Sequence, residues 1–173
     1  EASLRFGGNE VAVGGRWVFW EDRTAQGGAS TLSLGAEART LLQSQPRADR
    51  LAQVTVRDFA AVGLAVPVLW AYRSDGGLID VWAGGMLGWD HLSAQVGYPR
   101  GDSLQRAPAP ENATSVDRRW AAWVVGLSSG FRWLRVATEV GLQRDWFEVR
   151  VGERHVGLQT WSLTPAFSVG WTL

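Results

Sequence analysis

Apolar residues occupy every second position along most of this chain. In the clearest run, the even positions from Val54 to Tyr72 are apolar except for Asp58. Successive side chains of a β-strand point to opposite faces, so a period of two predicts a strand with one apolar face. Spacings of three and four residues, which indicate a helix, are scarcely sustained anywhere. The chain is therefore predicted to be almost entirely β.

Clusters of Ser, Asp and Gly predict tight turns at residues 74–77 and 128–130. The alternation between turns predicts eight strands, with ten as an alternative. Their ranges are 2–7, 10–21, 29–42, 50–73, 77–98, 118–128, 131–151 and 155–173. A bulge is expected near Arg144, where the apolar phase shifts. Pro67 and Pro165 are unusual within strands, since proline cannot donate to a ladder.

The length of the strands favours a membrane barrel over a soluble sandwich. A tilted membrane strand needs about 9 to 11 residues in the apolar layer. Four stretches of this length carry almost no charge on their apolar face: Val62–Tyr72, Leu78–Trp89, Phe131–Leu142 and Leu163–Leu173. No uncharged stretch approaches the roughly 18 residues of a spanning helix, and the first residues do not form a signal peptide.

The face opposite the apolar positions decides which side of the barrel is apolar. That face holds small residues, which suit a crowded lumen better than a solvated exterior. They are Ala65, Ala71, Gly84, Gly88, Ala137, Gly141, Ala166, Ser168, Gly170 and Thr172. We therefore predict a single domain over residues 1–173, with an all-β fold. It is expected to be an antiparallel up-and-down transmembrane β-barrel.

Charged and aromatic residues are placed by the same alternation. Charges of both signs on the inner face should pair, because buried charges need partners. They are Arg16, Glu37, Arg39, Asp80, Arg135 and Glu139. A second set is expected in strand extensions above the membrane: Arg50, Arg57, Asp58, Asp90, His91, Arg144, Asp145, Glu148 and Arg150. Aromatic residues should form two belts at the membrane boundaries. One comprises Trp17, Phe19, Trp20, Trp70, Tyr72, Phe131, Trp133, Phe167 and Trp171, and the other Trp89, Trp120, Trp146, Phe147 and Trp161.

Composition excludes several functional classes. Lys+Arg and Asp+Glu balance at 17 each, so no overall charge favours nucleic acid as a partner. The chain has no cysteine, which excludes a thiolate metal site and a thiol nucleophile. No spacing indicates a cofactor or metal site, and no catalytic residue is assigned.

The last strand carries a family resemblance. Phe167, Val169 and Trp171 resemble the C-terminal strand signature of bacterial outer-membrane barrels, although Leu173 stands where that family has Phe or Trp. The pattern is similar to the small OmpA-like and OmpX-like barrels over most of the chain. The resemblance implies a bacterial outer membrane, with membrane lipid and lipopolysaccharide as partners. It also implies periplasmic termini and short turns, with the segment 99–117 outside.

Three functions are compatible with such a barrel. The first is a structural or interaction protein, such as an accessory subunit of a larger outer-membrane complex. The second is a narrow pore, which an eight-stranded lumen disfavours because side chains can fill it. The third is a lipid-modifying enzyme, for which Asp90-His91-Leu92-Ser93 resembles the His-x-Ser spacing of lipid A deacylases. Ser93 would be the nucleophile and His91 the base, but Ala94 replaces the expected Asn and no acidic partner is recognisable.

Two short loop motifs carry little weight. Arg100-Gly101-Asp102 is an adhesion-like tripeptide and Asn112-Ala113-Thr114 fits a glycosylation sequon. Tripeptides of this kind arise often by chance.

Overall fold

The computed structural model describes residues 1–7, 10–25, 27–41, 48–49, 54–97, 112–131, 133–151 and 154–171. These residues form nine β-strands and a single 3-10 turn, Asp75–Gly77. The strands are β1 (Ala2–Gly7), β2 (Glu10–Arg23), β3 (Ala29–Leu41), β4 (Ala48–Asp49), β5 (Val54–Arg73), β6 (Ile79–Gly97), β7 (Asn112–Phe131), β8 (Leu134–Val151) and β9 (Arg154–Trp171). Within the described ranges, no helix is long and apolar enough to cross a membrane.

Eight of the strands form a closed, antiparallel ring. Neighbours pair in the order β3, β2, β1, β9, β8, β7, β6, β5, and the ring closes where β5 pairs with β3. The short β4 pairs only with the start of β5. The predicted all-β fold with eight antiparallel strands is confirmed. We call the end with Ala2, Trp171 and the short turns the lower end, and the opposite end the upper end.

The register round the ring fixes its width. Following paired residues from Leu4 through every strand leads to Gln159 on β9. Leu4 itself pairs with Val169, so the ring closes with a stagger of ten residues. With usual strand spacings, eight strands and this stagger give a tilt of about 40°. Such a ring has an interior just wide enough for side chains to fill.

Side chains alternate strictly between the inside and the outside of the ring. On β7, Val124 is 4% exposed whereas its neighbour Val125 is 57% exposed. The residues predicted for the inner face are buried or half-buried, except Thr172, which lies outside the described residues. Bulky inward side chains were not predicted, and they form the core with small ones. The large ones are Leu69, Trp82, Met86 and Trp120.

The predicted bulge near Arg144 is wrong. β8 pairs without interruption with both of its neighbours through this residue. Phe147 therefore lies on the same inward face as Gln143 and Asp145. The shift in the apolar pattern is a change in which face carries the apolar residues, without a bulge in the strand. Register shifts occur instead between Val18 and Trp20 on β2 and between Arg57 and Ala60 on β5.

Three further predictions at the upper end need correction. Strand β7 begins at Asn112 rather than residue 118, so residues 112–117 of the predicted outer loop pair with β6. Trp120, assigned to an aromatic belt, is only 2% exposed and lies inside. Asp90 and Asp145, expected above the membrane, are likewise buried inside the ring. Parity explains the inward positions of Trp120, Asp90 and Asp145, because each shares the parity of the inward residues on its own strand.

The predicted turns and prolines have clear structural roles. Gly76 and Gly77 adopt positive φ angles in the turn after β5, as tight turns favour. The second turn follows Phe131, slightly later than predicted, because β7 continues through residues 128–130. Pro67 lies inside β5, where the pairing with β3 lapses between Val68 and Ala65.

The two inward tryptophans each cover a glycine on the neighbouring strand. Trp82 on β6 pairs with Gly126 on β7, and Gly88 on β6 pairs with Trp120 on β7. A Cβ atom at Gly126 would lie 2.3 Å from the Trp82 ring, and one at Gly88 would lie 2.1 Å from the Trp120 ring. Only glycine leaves room for the indoles, so these pairs fix how the lumen is filled.

We expect Gly126→Ala to destabilise the ring by about 1 to 3 kcal/mol, the usual cost of overpacking a filled core. Gly85→Ala is the matched control, because Gly85 faces outward and a Cβ there meets nothing closer than 3.9 Å. The free energy of unfolding, measured by denaturant titration, gives both values. Equal stabilities of the two variants would contradict the tight packing of Trp82 on Gly126.

Candidate functional site

Charged side chains inside the upper half of the ring form an ion-pair network, here called the upper cluster. Its members are Glu10, Arg39, Asp90, Arg118 and Asp145. Arg118 bridges three strands: its Nη2 lies 2.5 Å from Asp90 Oδ2 and 3.2 Å from Glu10 Oε1, and its Nη1 lies 3.9 Å from Asp145 Oδ1. Arg39 donates to Glu10. Its guanidinium also stacks 4.3 Å from the centre of the Trp120 ring.

A middle cluster lies below the upper one. Arg5 Nη2 donates to Glu139 Oε1 at 2.5 Å, and Arg5 Nη1 lies 3.5 Å from Glu37 Oε2. The Trp82 indole N–H also donates to Glu139, at 3.4 Å. Two carboxylates therefore share one guanidinium, with an indole as an additional donor.

A third cluster of charges, the lower cluster, lies inside the ring near its lower end. Arg135 donates to Asp80 and to the carbonyl oxygen of Gly77. Arg73 Nε lies 3.1 Å from the other Asp80 oxygen. Arg16 pairs separately with Glu1 at 2.6 Å.

The six predicted inner charges are all paired, but mostly not with each other. Of the predicted set, only Asp80 and Arg135 contact one another. The missed partners include Arg5, Glu10 and Arg118. Parity could have located Asp90, because it lies on β6 in phase with Asp80. Arg5 was missed because the short first strand offers too few residues to establish a phase, whereas Glu10, the first residue of β2, shares the parity of the predicted inward Arg16.

A cavity of about 230 Å³ lies beside the upper and middle clusters. It touches seven strands of the ring and reaches the wall where β1 ends beside β9. Its lining consists of Arg5, Gly7, Glu10, Ala12, Arg39, Met86, Trp120, Ala122, Gln143, Leu163, Thr164, Pro165 and Ala166. Most of these side chains are apolar, and the charged ones belong to the two clusters. A second, smaller cavity of about 80 Å³ lies between the middle and lower clusters and is lined in part by Glu37, Trp82 and Arg135.

The outer face at the upper end carries the candidate catalytic residues. His91 Nδ1 lies 2.8 Å from Asp117 Oδ1, across the β6–β7 pairing, and both side chains are about half exposed. Ser93 lies on the same face of β6, two residues beyond His91, without a hydrogen bond between the two. The structure thus supplies the acidic partner that sequence spacing did not reveal, because Asp117 comes from the neighbouring strand.

Aromatic and basic side chains surround this part of the outer face. Arg144 lies 5.4 Å from the ring centres of both Trp146 and Trp161, and it donates to Gln159 at 2.5 Å. Trp89 lies 6.3 Å from the His91 ring. We call the outward residues Trp89, Arg144, Trp146 and Trp161 the upper rim.

The other sequence candidates lie outside the residues whose side chains the structure describes. Arg100-Gly101-Asp102 and Leu173 lie outside the described residues, and of Asn112-Ala113-Thr114 only the backbone, within β7, is described. Among the residues that the structure describes, no group of three or more potential metal ligands comes together. Comparisons with family models, curated proteins and solved structures gave no match to this chain.

We expect Arg135→Met to destabilise the ring by about 1 to 3 kcal/mol, because buried Asp80 loses one hydrogen-bonded charge partner and keeps Arg73. Adding Asp80→Asn should recover part of this loss. Arg119→Met is the control, since Arg119 is exposed on the outer face and should change stability by less than about 0.5 kcal/mol. Denaturant titration of the wild type, Arg135→Met, Asp80→Asn and the double variant measures the coupling energy. A double variant no more stable than Arg135→Met alone would argue against the pair.

Proposed function

We propose that this chain is a transmembrane β-barrel of the bacterial outer membrane, with a role as a structural or interaction protein. A single observation carries the proposal: outward positions are uncharged across a continuous band, whereas inward positions in the same band hold ion pairs. A water-soluble protein normally arranges these groups the other way round. Lipid around the ring accounts for the inversion.

The band has the height of a membrane. On β7 the outward residues below Arg119 are Ala121, Trp123, Val125, Leu127, Ser129 and Phe131. Their partners on β6 are uncharged, and so are those on β8 except Arg144, the partner of Ala121 at the top of the band. Eleven residues of strand at a tilt of about 40° rise about 25 Å, the usual height of the apolar band of outer-membrane barrels.

The upper rim suits the boundary between acyl chains and lipid headgroups. Arg144 between Trp146 and Trp161 combines a cation with the amphipathic rings that favour this level. Guanidinium groups also bind phosphate well. We therefore propose membrane lipid and lipopolysaccharide as the partners of the rim.

The filled lumen favours a structural or interaction role over conduction. Three ion-pair clusters and two indoles project into the interior, so side chains occupy much of the space that a conducting path would need. The upper ends of β6, β7 and β8 extend beyond the apolar band. We propose that they supply the surface by which the protein packs against a larger outer-membrane complex.

The pair His91–Asp117 favours a second candidate function, hydrolysis of a lipid ester. Asp117 would orient the His91 imidazole, which would take the proton from Ser93 as its hydroxyl attacks the ester carbonyl. The three side chains lie at the headgroup level of the proposed membrane, where acyl esters are found. Ser93 and His91 would have to approach, since they are not hydrogen bonded in this structure.

We expect Val125→Arg to cost about 2 to 4 kcal/mol of stability in lipid bilayers, because it puts a charge at the middle of the band. Ala60→Arg, exposed and above the band, should cost about 0 to 1 kcal/mol. Both residues are exposed on the outer face. Reversible unfolding by urea in vesicles measures the two values. In a water-soluble protein both variants would be nearly neutral, so equal small effects would refute a membrane location.

If the second function operates, Ser93→Ala and His91→Ala should each lower fatty-acid release from lipid A or phospholipid in mixed micelles by about 100-fold or more. Ser115→Ala is the control, because Ser115 is the exposed partner of Ser93 on β7. Mass spectrometry of the lipids gives the rates. A wild-type protein that releases no fatty acid removes this candidate.

A further inference from the structure

Two arginines lie on neighbouring strands of the outer face, at the top of the apolar band. Arg119 on β7 pairs with Trp89 on one side and with Trp146 on the other. Arg144, two residues before Trp146 on β8, pairs with Ala121. The two arginines are therefore diagonal neighbours on one face, where Cβ atoms lie about 7 to 8 Å apart and long side chains can meet. Both guanidinium groups can thus reach one shared ligand.

Neighbouring side chains hold Arg144 in place. Its guanidinium carbon lies 5.4 Å from the ring centres of both Trp146 and Trp161. Gln159 accepts a hydrogen bond from Nη2 at 2.5 Å. Contacts with ring faces leave the Nη groups of a guanidinium available to a further acceptor. We call Arg119, Arg144, Trp146, Gln159 and Trp161 the arginine patch.

The charges of the arginine patch favour an anion. Like charges on neighbouring strands repel, and an anion between Arg119 and Arg144 removes this repulsion. Asp117, the outward carboxylate two residues before Arg119, lies 2.8 Å from His91 Nδ1 across the neighbouring pairing. Guanidinium groups bind phosphate especially well, because their planar N–H groups match two phosphate oxygens at once. A phosphate group is therefore the ligand that best fits the patch.

The height of the patch indicates which phosphates can reach it. Arg144 is the partner of Ala121 at the top of the apolar band, and tryptophan favours the boundary between acyl chains and headgroups. If the ring spans a membrane, as proposed above, the phosphates at this level belong to lipid headgroups. The inference in this subsection rests on that location. A phosphate monoester carries a charge of about −1.5 to −2 at pH 7, so two guanidinium groups favour it over a singly charged diester.

We propose that the arginine patch binds a phosphate monoester of lipid A, the phosphorylated glycolipid that anchors lipopolysaccharide. Arg144 and Arg119 donate charge-assisted hydrogen bonds to the phosphate oxygens. Trp146 and Trp161 pack against the part of the lipid next to the phosphate. The inference thus names the chemical group by which the outer face recognises its lipid partner.

Competition between two lipids, followed by native mass spectrometry, tests the proposal. The full chain in detergent micelles is mixed with equal amounts of lipid A and of lipid A whose phosphates have been removed by a phosphatase. The two complexes differ in mass, so one spectrum gives the ratio of the bound lipids. We expect the wild type to prefer the phosphorylated lipid by about tenfold or more, as hydrogen bonds to charged groups allow.

Four variants separate the patch from a general effect of charge. Arg144→Gln should remove most of the preference, and Arg144→Lys should retain part of it, because an ammonium keeps the charge without the paired donors. Arg119→Gln tests the same site from β7 and replaces Arg144→Gln if that variant does not assemble. Arg23→Gln is the matched control, since it removes one positive charge from a side chain that is 80% exposed at the lower end. It should leave the preference unchanged.

The outcomes separate this inference from the membrane location. A wild type that binds both lipids equally overturns the phosphate site and leaves the proposed barrel intact. An equal loss of preference in Arg23→Gln and Arg144→Gln also overturns it, because only net charge would then matter. A wild type that is folded and soluble without detergent, and that binds neither lipid, refutes the membrane location and the phosphate site together.

Discussion

Closure of the ring with eight strands and a ten-residue stagger determines what the interior can contain. The enclosed space is narrow, so the size of each inward side chain must fit that of the residue paired with it on the neighbouring strand. Trp82 therefore requires Gly126, and Trp120 requires Gly88. A narrow interior also excludes most water. Each inward charge then needs a protein partner, and the three ion-pair clusters supply these partners between the indoles.

Placing the charges inside the ring and the apolar groups outside has an energetic consequence for the register of the strands. The ion pairs gain little over well-packed apolar groups, but breaking one of them is costly. They therefore favour one register of the strands, since a slip by one residue would carry every charge to the apolar face. Arg118 illustrates this, because it contacts carboxylates from three different strands.

The fold was largely predictable from the sequence and the site was not. Alternation located all eight long strands and the small inward residues, because the period of two is strong wherever one face is apolar. It did not place Trp120 or Asp90, whose residue types suggested the outside although their phase pointed inward. The pair His91–Asp117 and the cavity beside the upper and middle clusters depend on neighbours across strands, which a single strand's pattern does not contain. Asp117 had even been assigned to a loop.

The shortness of β1 affects how the ring comes together. Among the described strands of the ring, it is the shortest at six residues, and it joins the two ends of the chain. Contacts between residues so distant in sequence form late in folding, because the entropic cost of closing the loop must be met first. Hairpins β5–β6 and β7–β8 involve only local contacts and can assemble earlier. We therefore expect the pairing of β1 with β9 to form last during folding and to open first in thermal fluctuations of the ring.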